Sequence, residues 1–162
     1  MNQPVLVRFV TDAQAEGADL LEFDVRYYEG VWRLEHDDTP GSNAAFFEDI
    51  LAFEMLHTWD QPLFFEIKER DPTPAAAEEL LNMVLDAGFA TNGRPVFFRA
   101  FQGERIDNLH YIQDALESGD FPLQDHYIRF HVIFNDGTAD DTSEFHGLIE
   151  DAASAGFHGV NF

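Results

Sequence analysis

The chain has 162 residues, of which 45% are hydrophobic, so it can bury the core of one domain and is too hydrophobic for wholesale disorder. Its 31 acidic and 9 basic residues leave a formal charge of -22. This charge excludes a general affinity for DNA, RNA or anionic membranes, which bind basic surfaces. The absence of cysteine excludes disulfides and thiolate metal sites.

The kind of charged residue points to a habitat. Eight of the basic residues are arginines and one, Lys68, is a lysine. An acid-rich, lysine-poor composition is typical of halophilic proteins, because salty cytoplasms screen dense like charge. No apolar run approaches the roughly 20 residues of a membrane span, and residues 1–10 lack the pattern of a secretory signal. We therefore expect a cytoplasmic protein with no transmembrane segment, unless a signal peptide precedes a start upstream of Met1.

In chain order, the first element is ambiguous: residues 4–16 fit either a strand or a helix. After it, short apolar segments alternate with helical patterns. The segment 74–87 is the clearest helix, with proline near its start and Gly88 after its end. Strands are predicted over residues 20–28, 31–36, 62–68, 95–101, 126–134 and 159–162. Helices are predicted over residues 43–57, 74–87, 105–118 and 142–155.

This alternation of strands and helices predicts an α/β fold with a parallel sheet and right-handed crossovers. The length favours a single domain over residues 1–162.

Charged side chains lie near the ends of three consecutive predicted strands. Glu22 and Asp24 share one face of the first strand, since residues two apart in a strand point the same way. Glu66 and Lys68 repeat that spacing, and His36 ends the strand between them. A buried carboxylate is costly unless it is paired or bound to metal. The pattern therefore predicts one shared polar site, which in a parallel barrel lies at the C-terminal ends of the strands.

Two later strands carry further polar candidates. Arg129 and His131 share a strand face with Tyr127, and Arg99 interrupts an aromatic strand. We expect Arg99, Arg129 and His131 to contact the phosphate or head group of a substrate. The alternative for all three is a polar barrel interior or a solvated face.

Three motifs, GADLLEFDV at residues 17–25, HD at 36–37 and FEIK at 65–68, together resemble the glycerophosphodiester phosphodiesterases. The wider resemblance is to the barrel phosphodiesterase superfamily, which includes the spider-venom-type phospholipases D. The similarity is clearest over residues 11–68. It implies a TIM-type (β/α) barrel, of which about six strands can be identified, so that the barrel could be incomplete.

The resemblance also implies a chemistry. Glu22, Asp24 and Glu66 match the ligands of one divalent cation, Mg²⁺ or Ca²⁺, and both ions prefer hard oxygen donors. His36 matches the second histidine of the family's acid–base pair, and Lys68 matches the lysine that contacts the substrate phosphate. The implied function is metal-dependent cleavage of a glycerol- or lipid-derived phosphodiester, by hydrolysis or by cyclising transfer.

Two departures from the family pattern leave alternatives open. No histidine precedes His36, although the family's first catalytic histidine ends an earlier strand. An ordinary barrel also has eight strands and about 250 residues. The chain could be a fragment or have a misplaced start, be a degenerate relative that binds a phosphate-bearing ligand or partner without turnover, or be a shortened barrel.

A different barrel enzyme, such as a sugar isomerase, is a further alternative, which the order E-x-D, H-D, E-x-K disfavours. An incomplete barrel would expose strand edges, which pairing in a homo-oligomer could cover.

Overall fold

The computed structural model describes residues 3–37, 44–90, 95–101, 105–118, 127–133, 150, 152–154 and 156–161. The strands are β1 (Leu21–Tyr28), β2 (Val31–Leu34), β3 (Leu63–Ile67), β4 (Val96–Phe101), β5 (Ile128–Ile133) and β6 (Gly159–Asn161). The helices are α1 (Gln3–Glu16), α2 (Phe47–Leu51), α3 (Glu54–His57), α4 (Pro74–Asp86) and α5 (Asp107–Ser118). Residues 150 and 152–154 are also helical.

The strands form one sheet in the order β2-β1-β3-β4-β5-β6. Neighbouring strands from β1 to β6 are parallel, which confirms the mixed α/β class and the predicted sheet. β2 and β6 lie at the two edges of this order. The described residues therefore show a six-stranded sheet rather than a closed eight-stranded barrel.

β2 is the exception to the parallel arrangement, because it pairs antiparallel with β1. Two residues, Glu29 and Gly30, join the strands, and both have positive φ (51° and 82°). Positive φ at both central positions is the backbone signature of a type I′ hairpin turn, whereas a parallel connection needs a dozen or more residues. The prediction of a purely parallel sheet is thus corrected at this edge.

The predicted strands are all present within a residue or two of their predicted bounds in the described part of the chain. Residues 4–16, which were ambiguous, lie in α1, and Val10 of that helix is fully buried. The helix predicted over 43–57 is divided into α2 and α3, because Phe53 between them has an extended backbone. Most of the helix predicted over 142–155 lies outside the described residues.

α4 carries the strongest local signals, and they are satisfied as expected. The Thr73 side chain accepts a hydrogen bond from the Ala76 backbone N–H at 3.2 Å, and Pro74 follows this N-cap. At the other end, Gly88 has φ +80° and the Phe89 N–H donates to the Val84 carbonyl, closing the helix in a Schellman motif.

One face of the sheet, the core face, carries a row of four phenylalanines from four neighbouring strands. Phe23, Phe65, Phe98 and Phe130 are successive register partners, with ring centroids 6.0–6.4 Å apart along the row. All four are at most 4% exposed and belong to the hydrophobic core that α4 and α5 also line. Burying this face requires helices on one side of the sheet and leaves the other side for polar groups.

None of the helices in the described part of the chain has the length and apolar content needed to cross a bilayer.

Candidate functional site

The opposite face of the sheet, the polar face, carries a row of chemically active side chains. Asp24 of β1 is the register partner of Glu66 of β3. Glu66 in turn pairs with Arg99 of β4, and Arg99 pairs with His131 of β5. Each of these residues is the immediate chain neighbour of a phenylalanine in the core row, so strand alternation alone sends them to the other side. Parallel pairing then brings residues from widely separated chain positions into one line.

Three carboxylates converge at one end of this row. Glu22, Asp24 and Glu66 each offer an oxygen, and the three oxygens lie within 4.8 Å of one another. Glu66 is 4% exposed, whereas Glu22 and Asp24 are half-buried. The structure therefore brings these three predicted residues together.

Two cations hold the carboxylates together. The Lys68 ammonium contacts Glu66 Oε1 and lies 3.3 Å from Asp24 Oδ1. Arg99 Nη2 contacts Glu22 Oε1 and lies 3.1 Å from Glu66 Oε2. Three negative and two positive charges give the cluster a net charge of -1 when all five groups are ionised. Glu66 is central to the network, because one of its oxygens pairs with Lys68 and the other with Arg99.

The environment shifts the proton affinities of the two glutamates in opposite directions. Burial raises the pKa of Glu22, Arg99 opposes this, and the nearby carboxylates Glu66 and Asp24 add to the rise, so its pKa lies above the ordinary value. Burial also raises the pKa of Glu66, but hydrogen bonds and charge from Lys68 and then Arg99 outweigh it, and its pKa is below the ordinary value. A proton taken up by this pair is therefore favoured on Glu22.

The backbone explains why Lys68 can be buried. Lys68 directly follows β3, and its N–H donates to the Val25 carbonyl of β1 at 2.8 Å, which continues the strand pairing for one residue. Its side chain is 8% exposed, and its ammonium lies 5.4 Å from the centre of the Phe101 ring. A buried ammonium is tolerated here because two carboxylates and an aromatic face replace its water.

His36 is placed near this site by its backbone rather than by its imidazole. β2 returns the chain antiparallel along β1, so the Glu35 N–H donates to the Asp24 carbonyl at 3.1 Å. The His36 carbonyl accepts a hydrogen bond from Arg26 at 3.3 Å. The imidazole is 71% exposed and pairs with Asp37 at 3.1 Å. Within the described residues, no hydrogen bond joins this ring to the three carboxylates.

The three other residues predicted to contact substrate have different surroundings in the structure. Arg99 joins the carboxylate network directly. His131 lies beside it in the row and packs edge-on against Phe97 at 4.9 Å, and burial, followed by the charges of Arg99 and His158, lowers its pKa. Arg129 is the next residue along this face, but its guanidinium donates to the Ile128 carbonyl at 2.8 Å.

Two features of the site were missed by the sequence analysis. Arg26 lies two residues beyond Asp24 on the same face, is 5% exposed, and fixes the backbone at His36. Phe64 and Phe97 stack beneath the charged row, with centroids 4.3 Å apart. The period-2 alternation that identified Glu22 and Asp24 extends to Arg26 and could have found it.

The donor set suits the cation that the resemblance implies. All three converging ligands are carboxylate oxygens, as Mg²⁺ and Ca²⁺ prefer, and one of them is buried. Lys68 lies beside two of the three carboxylates, Asp24 and Glu66. The contacts that Arg99 makes with Glu22 and Glu66, however, use two of the same three carboxylates.

A groove of about 510 Å³ lies between α1 and the start of β1. Its walls mix apolar residues with acids and include Glu22 itself. Phe9 and Leu20 in these walls are each 42% exposed.

No protein-family model matches the chain, and no curated protein matches it. The likeness to the glycerophosphodiester phosphodiesterases therefore rests on the motifs at residues 17–25, 36–37 and 65–68.

Proposed function

We propose that this chain binds one Mg²⁺ or Ca²⁺ through Glu22, Asp24 and Glu66, and that it binds and cleaves a glycerol- or lipid-derived phosphodiester there. The observation that carries the proposal is the convergence of three carboxylate oxygens within 4.8 Å of one another, beside the buried ammonium of Lys68. Three carboxylates that close repel one another and favour a bound cation. The TIM-type barrel that the resemblance implies remains part of this proposal.

Each residue has a distinct role in the proposed reaction. Glu22, Asp24 and Glu66 would hold the divalent cation, which would compensate phosphate charge and help to orient a hydroxyl or water for attack. Lys68 neutralises a phosphate oxygen as negative charge builds in the transition state. His36 would accept a proton from the attacking group or donate one to the leaving oxygen, once its imidazole turns from Asp37 towards the bound substrate.

The groove beside Glu22 supports a substrate that has an apolar portion. Phe9 and Leu20 expose hydrophobic surface in the same groove walls as Glu22, and a glycerol or acyl chain could bury it. The acidic residues Asp12 and Glu16 in the same walls favour a head group that carries positive charge. We therefore expect tighter binding of a lysophospholipid with a cationic head group than of its deacylated analogue.

Metal titration by calorimetry tests the site directly. Glu22→Gln and Asp24→Asn should each lower the affinity for Mg²⁺ and Ca²⁺ by more than the roughly 10- to 100-fold typical of losing an outer partner of a metal ligand. Glu78→Gln removes the same charge from the exposed surface of α4 and serves as the matched control. Equal affinity of the parent, Glu22→Gln and Asp24→Asn would show that the site assignment is wrong.

The second candidate is a protein that binds the same phosphate-bearing ligand without turning it over. It is favoured by the exposed imidazole of His36 and by the absence of histidine from residues 1–35. Losing one general acid or base typically costs about 10²- to 10⁴-fold in rate. We expect the 162-residue chain to bind glycerophosphodiesters and lysophospholipids with metal but to cleave them weakly or not at all.

Turnover at rates near the median enzyme value of about 10 s⁻¹ would exclude this second candidate. It would also show that the histidine pair is dispensable. A strand ending in histidine, added before residue 1, should raise the rate if the start is misplaced.

A further inference from the structure

Arg99 already occupies part of the space in which the proposed cation would be held. Its Nη2 contacts Glu22 Oε1 and lies 3.1 Å from Glu66 Oε2, so one nitrogen bridges two of the three converging carboxylates. The guanidinium therefore provides the charge compensation between these glutamates that a metal ion would provide. A dication and a guanidinium would repel each other if both lay between Glu22 and Glu66, because both are positively charged.

We propose that Arg99 is a resident counterion that the divalent cation displaces, and that the displaced guanidinium then becomes a binding group for the substrate phosphate. This inference rests on the proposed metal site. It assigns Arg99 two successive partners: the carboxylates before metal binding, and the anion after it. Anion binding thereby becomes conditional on the metal.

The two halves of the ion network explain why Arg99, rather than Lys68, should move. The Arg99 side chain is 15% exposed and that of its partner Glu22 is 35% exposed. The Lys68 side chain is 8% exposed, and its partners Asp24 and Glu66 are 30% and 6% exposed. An ion pair that reaches water loses less when it separates, because solvent replaces the lost contact. Arg99 thus belongs to the more exposed and more easily exchanged half of the network.

An aromatic ring already lies beside Arg99 and could support the guanidinium after displacement. The Arg99 guanidinium carbon lies 5.8 Å from the centre of the Phe64 ring, within the range of a cation–π contact. A guanidinium is weakly hydrated and stacks on aromatic faces more readily than an ammonium does. Its five donors then remain able to bind two phosphate oxygens at once, a geometry that Lys68 lacks.

The inference predicts opposite changes in two affinities. In Arg99→Gln, the competing cation is gone, and Mg²⁺ should bind about tenfold or more tightly than to the parent by calorimetry. In the presence of saturating Mg²⁺, inorganic phosphate should bind the same variant about tenfold more weakly, because the displaced guanidinium is missing. Arg8→Gln, which removes an 84% exposed arginine from α1, should leave both affinities at the parent values.

Arg99→Lys provides a second test if Arg99→Gln fails to fold. It retains the charge but loses the planar fork, so it should bind Mg²⁺ more tightly than the parent and restore part of the phosphate affinity lost in Arg99→Gln.

Failure of this inference can be distinguished from failure of the metal site. If the parent binds Mg²⁺ and the Arg99 variants bind it equally or more weakly, Arg99 is not a competitor, and the metal site stands without it. If neither the parent nor the variants bind Mg²⁺, the inference and the proposed metal site are both wrong. Unchanged phosphate affinity in Arg99→Gln would overturn the second role of Arg99 alone.

Discussion

Two adjacent rows of the same four strands have opposite chemistry. Phe23, Phe65, Phe98 and Phe130 form the row on the core face, and Asp24, Glu66, Arg99 and His131 form the row on the polar face. Each polar residue is the next residue in the chain after its phenylalanine. The two rows share the same strands, register and strand order. Their positions in the sheet therefore differ only in the face towards which the side chains point.

The sheet can position a charged cluster without being stabilised by it. Burial and stacking of the phenylalanines fix the strand register, and a one-residue slip would exchange the two rows. The charged row has the same register, because it lies on the same strands. Its ion pairs compensate one another, and a buried ion pair often contributes little net stability compared with apolar side chains of similar volume.

The neighbouring residues Phe64 and Phe65 provide the largest test. Phe65 is fully buried in the core row, and Phe65→Ala should cost about 3–5 kcal/mol in the free energy of unfolding, as in other cores. Phe64 lies on the polar face, is 8% exposed and stacks on Phe97. Phe64→Ala should cost less than half as much. Urea unfolding measures both, and equal costs would show that the two faces are equally well packed.

The strands and the direction of their side chains could be predicted because both follow from local alternation. Glu22 with Asp24, and Glu66 with Lys68, were paired from their spacing alone. The bridge from Arg99 to Glu22 could not be predicted, because it depends on the relative register of β1, β3 and β4, which are distant in the chain.

Two local features, the β1–β2 hairpin and the break between α2 and α3, differ in how far the sequence predicts them. The antiparallel β2 could have been deduced from the two-residue linker at residues 29–30, since a connection that short permits only a hairpin. The division of residues 43–57 into α2 and α3 has no such signal, because the apolar spacing continues across the break.

The second prediction tests whether the polar row is a coupled network. Lys68→Met leaves Glu66, which is 4% exposed, paired with Arg99, and should cost about 3 kcal/mol because the buried carboxylate loses part of its charge compensation. Adding Glu66→Gln removes that charge and should recover part of the loss. The double-mutant cycle should therefore give a coupling of about 1 kcal/mol or more.

Strictly additive costs in that cycle would mean that Lys68 and Glu66 do not stabilise each other. The contact between them would then contribute nothing beyond the packing of the two side chains.

The third prediction separates the compensated polar row from the rest of the surface. The formal charge of -22 implies self-repulsion that salt relieves, as the screening length falls from about 10 Å at 0.1 M to about 3 Å at 1 M. Thermal melts should therefore give a higher Tm in about 2 M KCl than in about 0.1 M KCl. A lower Tm at high salt would indicate that screening of attractive pairs, such as those in the polar row, outweighs relief of repulsion.

The smallest expected effect is a pH dependence at the junction of β5 and β6, next to the end of the core row. The Phe130 N–H donates to His158 Nδ1 at 3.2 Å, an arrangement that requires this nitrogen to be unprotonated. Burial, and then the charge of Arg129, lowers the pKa of His158. In the unfolded chain the imidazole takes up its proton near its ordinary pKa of about 6.5. As the pH falls through that value the unfolded state therefore binds more protons than the folded state, and stability is lost.

Urea unfolding between pH 7.5 and 5.5, roughly one unit on each side of that value, should show a smaller loss of stability in His158→Gln than in the parent. The glutamine amide oxygen can accept the same hydrogen bond without titrating. Part of the loss should persist, because the pKa of His131 is also lowered, first by burial and then by the charges of Arg99 and His158. His36→Gln, at an exposed imidazole, is the matched control and should follow the parent. An unchanged slope in His158→Gln would mean that the imidazole is protonated equally in both states, and that the bond from Phe130 contributes nothing to this junction.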